Sequence, residues 1–429
     1  MTKSNIQPLK GFRDFLPGEA VAREQILAKI RAVFQTYGFL PLETPALEYK
    51  ELLTGKSGLE ADKLMYSFKD QGGRAVAMRY EFTVSLARVV AQYQNELPMP
   101  FKRYQIGPVW RADRPQKGRF REFIQCDVDV VGSASSFADA EVIACIDAAL
   151  RSLGVGDIVI KINNRKVLTG LMKEAGIDPQ KTVAAIRILD KFEKIGETEV
   201  RGELASLGIQ TREADKLFEY LRQSLEDPKE ILSKLEGIDG VGELAGLAEI
   251  LLDMGVKNYE VDLTLARGLD YYTGTVFEMR LPDAAQYGSV AGGGRYDNLI
   301  GMFLPAGRQV PAVGCSIGID RLIDALEELE LVKYDAVSDI LVCNLDENLS
   351  EKYLKIVQEL REAGIKTDYY YDPIKLDRQL KYADKKKINF AVIIGPDEEK
   401  EGEATVKNLA TGKQEKVKQA SLAEYLKRK

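Results

Sequence analysis

Arginines, carboxylates and tyrosines are the residues that could perform chemistry in this chain, because its 429 residues include no histidine. Ser-His and Cys-His nucleophile pairs, HExxH zinc sites and imidazole proton shuttles are therefore excluded. Arginine provides a permanently charged fork of donors that matches the geometry of phosphate and carboxylate groups. Chemistry on phosphates would accordingly use Arg, Lys, carboxylates, Tyr, metal ions or groups of the substrate.

A predicted strand at residues 121–130 alternates between apolar and polar side chains. Its apolar face consists of Ile124, Cys126, Val128 and Val130, and its other face of Arg121, Phe123, Gln125, Asp127 and Asp129. A solvated face on a half-buried sheet is the commoner use of such alternation. The adjoining polar loop favours a site instead, because Arg111 precedes it and Arg114, Gln116, Lys117 and Arg119 lie within it.

Four further stretches carry polar residues, and each has an ordinary structural interpretation. Arg79, Glu81 and Thr83 could begin a helix with surface charges, and ARGLDYYTG could be a turn at Gly268 with half-buried tyrosines. Glycines 292–294 could form a turn, since no P-loop or GxGxxG pattern fits them. Arg321, which opens an apolar helix, could be solvated or ion-paired.

Hydrophobic periodicity indicates the elements that would position these residues. It predicts helices at residues 19–38 and 137–153, the second with Ser136 as N-cap and Gly154 after its end. It predicts a strand at residues 101–111 and an inserted helical subdomain at residues 166–256. Strand and helix patterns alternate again after a boundary near 330–337, which predicts a small parallel-sheet domain.

The overall composition is that of a globular protein, with 60 Lys+Arg against 66 Asp+Glu and 45% hydrophobic residues. The N-terminus lacks a secretory apolar region, and no apolar run reaches the roughly 20 residues that span a bilayer. No two cysteines form a CxxC pair. We therefore expect a reduced, cytoplasmic protein whose cysteines are small core residues: Cys126, Cys145, Cys315 and Cys343.

The order of the motifs resembles that of the class II aminoacyl-tRNA synthetases and, within them, the histidyl-tRNA synthetases. The motifs are FLPLETP, RYEFT, WRADRPQKGRFREFIQCDVDVVG, RGLDYYTG and GIDRL, and the last residues resemble that family's anticodon-binding domain. The resemblance implies an α+β catalytic domain built on an antiparallel sheet at residues 1–330. The helical insertion at 166–256 would interrupt it, and an α/β anticodon-binding domain would occupy residues 335–429.

The resemblance also implies a reaction, the ATP-dependent attachment of L-histidine to tRNA(His) through histidyl-adenylate, with Mg²⁺ accompanying ATP. It implies that Arg111 and Arg267 are catalytic and that, with Arg321, they bind ATP. Histidine would be held by Glu81, Thr83, Gln125, Asp129, Tyr271 and Tyr272. The acceptor end of tRNA would meet Arg114, Gln116 and Lys117. The resemblance implies a homodimer. It implies neither a resident metal ion nor contact with a membrane.

Two kinds of alternative remain open on the sequence. One is a catalytically silent paralogue, such as the regulatory subunit of histidine biosynthesis or a tRNA-binding pseudo-synthetase. Its relatives generally lack the C-terminal domain and lose the catalytic arginines, whereas this chain retains Arg111, Arg267 and Arg321. The other is a class II synthetase for proline, threonine or glycine, which Asp129 and the RGLDYYTG motif oppose.

Overall fold

The computed structural model describes residues 6–56, 62–114, 118–222, 227–267, 271–305, 308–334 and 336–429. Its contacts form two units. The first comprises Ile26–Val332 with the N-terminal residues through Asp14, and the second comprises Lys333–Lys429 with Phe15–Gln25. Within the described ranges, no helix is long and apolar enough to cross a membrane.

The first unit is built on an eight-stranded sheet of order β1-β5-β6-β11-β10-β9-β7-β8 and a small sheet of order β2-β4-β3. Its strands are β1 (Leu40–Pro41), β2 (Leu47–Tyr49), β3 (Ser67–Lys69), β4 (Ala75–Met78), β5 (Phe101–Trp110), β6 (Glu122–Val131), β7 (Val159–Asn164), β8 (Tyr259–Val261), β9 (Thr275–Arg280), β10 (Ser289–Arg295) and β11 (Ala312–Gly318). The edge strands β1 and β8 pair in parallel, and every pairing from β5 to β7 is antiparallel. This sheet is the antiparallel platform that the sequence predicts.

Helices precede, flank and interrupt this sheet. They are α1 (Pro17–Thr36), α2 (Lys50–Leu53), α3 (Thr83–Gln92), α4 (Ser136–Ser152), α5 (Arg165–Ala175), α6 (Thr182–Leu189), α7 (Phe192–Ser206), α8 (Thr211–Arg222), α9 (Pro228–Lys234), α10 (Val241–Asp253) and α11 (Ile319–Glu328). The run from α5 to α10 lies between β7 and β8, where Leu, Glu, Lys and Ala recur at helical spacing.

Helix α4 forms the main core with the apolar face of β6. Ile143 and Ile146 belong to the same buried cluster as Cys126 and Val128, and all four are fully buried. The predicted N-cap is wrong by one residue. The side chain of Ser135, rather than Ser136, accepts the first free backbone N–H, since Ser135 has the extended backbone of a cap.

The second unit has a five-stranded sheet of order β13-β12-β14-β15-β16. Its elements are β12 (Ile340–Val342), α12 (Ser350–Glu362), β13 (Thr367–Tyr369), α13 (Leu376–Lys385), β14 (Phe390–Ile393), α14 (Pro396–Glu401), β15 (Glu403–Asn408), β16 (Gln414–Lys418) and α15 (Leu422–Lys427). The predicted parallel unit is confirmed, because β12 pairs in parallel with both β13 and β14. Strands β15 and β16 are not predicted from the sequence, and they extend this sheet as an antiparallel hairpin whose turn contains Gly412 at φ +74°.

Candidate active site

The polar face of β6 lies near the middle of the eight-stranded sheet. Register pairs Asp129 with Arg103 on β5 and with Gly314 on β11, and it pairs Asp127 with Gln105 and Ser316. Paired residues of neighbouring strands point to the same face. Only 3–8% of Asp129, Asp127 and Gln125 is exposed, so the interpretation as a solvated face is wrong.

Glycines on β10 and β11 leave room above this face. A Cβ atom at Gly292 would lie 2.1 Å from Nη1 of Arg267, and one at Gly314 would lie 1.9 Å from Oδ1 of Asp129. The interpretation of residues 292–294 as a turn is therefore wrong. They belong to a strand whose missing side chains let other groups lie directly on the backbone.

Asp129 is buried beside a cluster of tyrosines. Nη2 of the fully buried Arg103 lies 2.7 Å from its Oδ2, and the Tyr296 hydroxyl donates a hydrogen bond to its Oδ1. Burial raises the pKa of Asp129, and Arg103 and Tyr296 act against that rise. The Tyr271 ring centre lies 4.9 Å from that of Tyr272 and 5.8 Å from that of Tyr296. Burial raises the pKa of Tyr272 to about 12, which keeps it a neutral donor.

In the Gln125 side chain, the amide nitrogen makes a hydrogen bond and the amide oxygen does not. Its Nε2 donates to Oγ of Ser316 at 2.6 Å, whereas its buried Oε1 has no hydrogen-bond partner among the described residues. A buried acceptor without a partner costs free energy unless a ligand supplies a donor. This oxygen is therefore suited to an N–H group of a bound molecule.

The buried side chain of Glu81 caps the N-terminus of helix α3. Its carboxylate accepts the backbone N–H groups of Thr83 and of Val84, the latter at 3.0 Å. Because Glu81 is 5% exposed and Arg79 is 6% exposed, the predicted surface charges are buried. Nη1 of Arg79 donates to the Thr44 carbonyl at 2.7 Å. Each Glu81 oxygen keeps a further lone pair for a ligand.

Arg111 is held flat between aromatic rings at the end of β5. Its guanidinium carbon lies 4.2 Å from the ring centre of Tyr80 and 5.1 Å from that of Phe123. Its Nε donates to the Tyr80 carbonyl at 3.2 Å. Stacking leaves the outer N–H groups of the fork free to bind an anion in the plane of the guanidinium.

Arg267 has an unusual backbone, with φ at +48°. A residue other than glycine in this region costs about 1–2 kcal/mol unless its surroundings hold it there. Asn163 and Arg165 provide that support, because their side chains donate to the carbonyls of Leu265 and Ala266, each at 2.9 Å. The strain therefore lies at the residue whose guanidinium covers Gly292.

Arg321 completes a group of converging cations. Its Nη1 donates to the Ser289 carbonyl at 2.6 Å. Burial lowers the pKa of Arg321, and the positive charges of Arg119, Arg267 and Arg111 lower it further. Mutual repulsion of this kind identifies a site that a polyanion would stabilise. The arginines predicted to bind ATP are thus brought together, next to the acidic pocket.

Known proteins resemble this chain in sequence and in fold. A family model described as histidyl-tRNA synthetase matches residues 11–322, and one described as an anticodon binding domain matches residues 339–429. The chain belongs to the histidyl-tRNA synthetase family. It is 44% identical to a histidine–tRNA ligase of Rhodopirellula baltica over 426 residues, which cover 96% of each chain.

Solved structures agree with membership of this family. A crystal structure of histidyl-tRNA synthetase from a Nostoc species aligns with a TM-score of 0.87 and 36% identity, over 99% of this chain and 100% of that one. A Bacillus halodurans structure titled as an ATP phosphoribosyltransferase regulatory subunit/histidyl-tRNA synthetase aligns with a TM-score of 0.75 and 24% identity. The alignment covers 88% of this chain and 96% of that one. At this identity, the similarity shows a shared fold and nothing more. The alternative of a catalytically silent paralogue is not favoured, because the relative at 44% identity is a histidine–tRNA ligase.

Arg114 is exposed in the segment that follows β5, whereas Gln116 and Lys117, the other residues predicted to meet the acceptor end of tRNA, lie outside the described residues. Among the residues that are described, no group of three or more Cys, Asp or Glu side chains could hold a metal ion.

Three residues near Asp129 are not among those that the sequence predicts. Arg103 alternates with Gln105 and Gly107 on β5, which places all three on one face and is a signal that the sequence does contain. Tyr296 follows the glycine-rich strand, and nothing local indicated that its hydroxyl would reach Asp129. Asp127 lay on the polar face already recognised but received no separate function.

Proposed function

We propose that this chain attaches L-histidine to tRNA(His) at the expense of ATP, through a histidyl-adenylate intermediate. The observation that carries the proposal is the buried Asp129 and its tyrosine neighbours, close to the converging arginines. The pocket offers an acceptor and neutral phenol donors, which match the N–H and the bare nitrogen of a neutral imidazole. The arginines offer charge for a triphosphate.

In the first step, the histidine carboxylate attacks the α-phosphate and pyrophosphate leaves. Negative charge grows on the phosphate oxygens, so fixed cations stabilise the transition state more than the ground state. Arg111 and Arg267 would act at the α-phosphate, and Arg321 would hold the distal phosphates. ATP would arrive as its Mg²⁺ complex, since Mg²⁺ in such sites is held largely by substrate phosphates and water.

The histidine side chain would lie between Asp129 and Tyr272, with Tyr271 lining the pocket. Its α-amino group would meet Gln125, Glu81 and Thr83. A pocket that hydrogen-bonds both ring nitrogens rejects analogues lacking them by factors of about 10⁴–10⁵, because its own buried groups would otherwise be unpaired. Asp129 fits this function because Arg103 and Tyr296 hold its carboxylate in one orientation.

In the second step, the terminal ribose hydroxyl of tRNA attacks the adenylate. A phosphate oxygen of the adenylate can accept the proton, so the reaction needs no enzyme histidine. The loop at Arg114, Gln116 and Lys117 would read the extra guanosine at the 5′ end of the acceptor stem. Residues 335–429 would bind the anticodon, and Tyr371, which is 82% exposed after β13, could stack on an unpaired base.

Oligomeric state and location complete the proposal. Leu47, Tyr49 and Phe68 lie on one face of the small sheet beside Pro45 and are 45–52% exposed. Such an apolar face would be covered by a second copy in a homodimer. The four cysteines are buried thiols that form no disulfide, in keeping with a reducing cytoplasm.

The decisive experiment is ATP–pyrophosphate exchange measured separately with each of the twenty amino acids, followed by charging of tRNA transcripts. Exchange that depends on histidine, together with charging of tRNA(His), is expected. Exchange with proline, threonine or glycine would assign another substrate. Absence of exchange with every amino acid, in a protein that binds tRNA, would assign a silent paralogue.

A further inference from the structure

Asp127 is a buried carboxylate that has no assigned function in the proposed reaction. It lies on β6 between Gln125 and Asp129, and it is 4% exposed. Its side chain shares the face of those two residues, roughly 7 Å from each along the strand. Its Oδ1 is buried and has no hydrogen-bond partner among the described residues.

Ser316 links Asp127 to Gln125. The Ser316 hydroxyl hydrogen-bonds to the Asp127 carboxylate and accepts from Nε2 of Gln125 at 2.6 Å. Two acceptors on this strand face therefore remain unpartnered, Oε1 of Gln125 and Oδ1 of Asp127. Buried polar atoms are nearly always satisfied, so two such atoms on residues that share one hydroxyl indicate a missing donor group.

The charges around Asp127 indicate that this donor is a cation. The titratable and charged groups that act on it are Arg79, Glu81, Arg103, Asp129, Tyr271 and Cys315. With Asp127 included, two cations face three carboxylates, since the tyrosine and the thiol are neutral. Arg103 pairs with Asp129 through Nη2, although its Nε and Nη1 have no hydrogen-bond partner among the described residues, and Arg79 donates to backbone carbonyls. When Asp127 is ionised, one positive charge is therefore lacking, and an α-ammonium group would supply it together with three donors.

We propose that Asp127 binds the α-ammonium group of the amino-acid substrate, beside Gln125. The proposal rests on the proposed function and adds a specificity-determining residue to it. Its consequence is a linked proton. Burial raises the pKa of Asp127 to about 7 in the free protein. A bound ammonium favours the ionised carboxylate, so binding lowers this pKa and releases a proton at pH values just below 7.

The test compares two ligands by titration calorimetry, without ATP. One is L-histidine and the other is imidazolepropionate, which is histidine without its amino group. In Asp127→Asn, we expect affinity for L-histidine to fall by about 10–100-fold, the range for loss of a charge-assisted hydrogen bond. Affinity for imidazolepropionate should change less than threefold. Asp147→Asn is the matched control. Asp147 is a buried carboxylate on helix α4 that accepts hydrogen bonds from Arg151 and Asn258, and it has no part in the proposed site.

Proton release provides an independent measurement. Titrations with L-histidine at pH 6.5 in buffers of different ionisation enthalpy should show more proton release from wild-type protein than from Asp127→Asn, because the ring of the ligand contributes equally to both. An equal loss of affinity for both ligands in Asp127→Asn, unchanged affinity for L-histidine, or equal proton release from both proteins would overturn the proposal. Wild-type protein that binds neither ligand would instead contradict the proposed function.

Discussion

Replacing Gly292 by alanine should disable the enzyme without unfolding it. The new Cβ would lie 2.1 Å from Nη1 of Arg267, whereas ordinary contact begins at 3.4 Å. The guanidinium must therefore move by about 1.3 Å, because it is the end of a flexible side chain and the strand below it is not. A displacement of about 1 Å in a reacting group costs about 100-fold in rate, or about 2.7 kcal/mol of transition-state stabilisation.

Histidine-dependent ATP–pyrophosphate exchange measures this loss, and thermal unfolding measures the fold. We expect exchange to fall about 100-fold in Gly292→Ala, while Tm changes by no more than a few degrees. Gly246→Ala is the matched control, because nothing lies within 4 Å of a Cβ at that position on helix α10. Its exchange rate should equal that of the wild type.

A double-mutant cycle separates an effect through Arg267 from any other effect of the added methyl group. If Gly292→Ala acts only by displacing the guanidinium, it should have no further effect in an Arg267→Ala protein. Additive losses would refute this reasoning, as would a Gly292→Ala enzyme with exchange within threefold of the wild type.

Four other changes test separate parts of the structure. Asp129→Ala should abolish histidine-dependent exchange and destabilise the protein by about 3–5 kcal/mol, since Arg103 would be left buried and unpaired; near-normal exchange would contradict the pocket assignment. Because the pKa of Asp127 is raised in the folded protein to about 7, wild-type stability should decline from about pH 4 to pH 7 as the folded state loses its extra proton. Asp127→Asn has no carboxyl group to lose a proton, so its Tm minus that of the wild type should increase from pH 4 to pH 7. A Tm difference that stays constant over this range would count against the raised pKa. Tyr49→Glu should shift the protein from dimer to monomer in sedimentation, unless the small sheet is not the interface. Removal of the 5′ guanosine from tRNA(His) should slow charging but not exchange, and charging that ignores it would count against the loop at residues 114–117.

The sequence predicted most strongly where periodicity and chemistry agreed. Alternation along β6 assigned Gln125 and Asp129 to one face, and the structure has them on one face. It could not decide whether that face is solvated, because burial depends on groups that come from distant parts of the chain. Tyr296 is 167 residues from Asp129, and Arg103 becomes its partner only through strand register.

Glycines and charges were misread for a related reason. Residues 292–294 have the composition of a turn, yet they form a strand that pairs with β9 and β11 and has Arg267 directly above Gly292. Arg79 and Glu81 have the composition of a surface, yet backbone carbonyls and the start of helix α3 satisfy them inside the protein. In each case, tertiary contacts override a local preference.

The absence of histidine from the chain gives the pocket an unusual experimental property. Every imidazole resonance in a nuclear magnetic resonance spectrum of the complex would come from the ligand, since the protein contributes none. Histidine labelled with ¹⁵N could thus be observed in unlabelled enzyme without isotope filtering. Its two ring-nitrogen shifts would report which tautomer faces Asp129, and their titration would follow the bound ring alone.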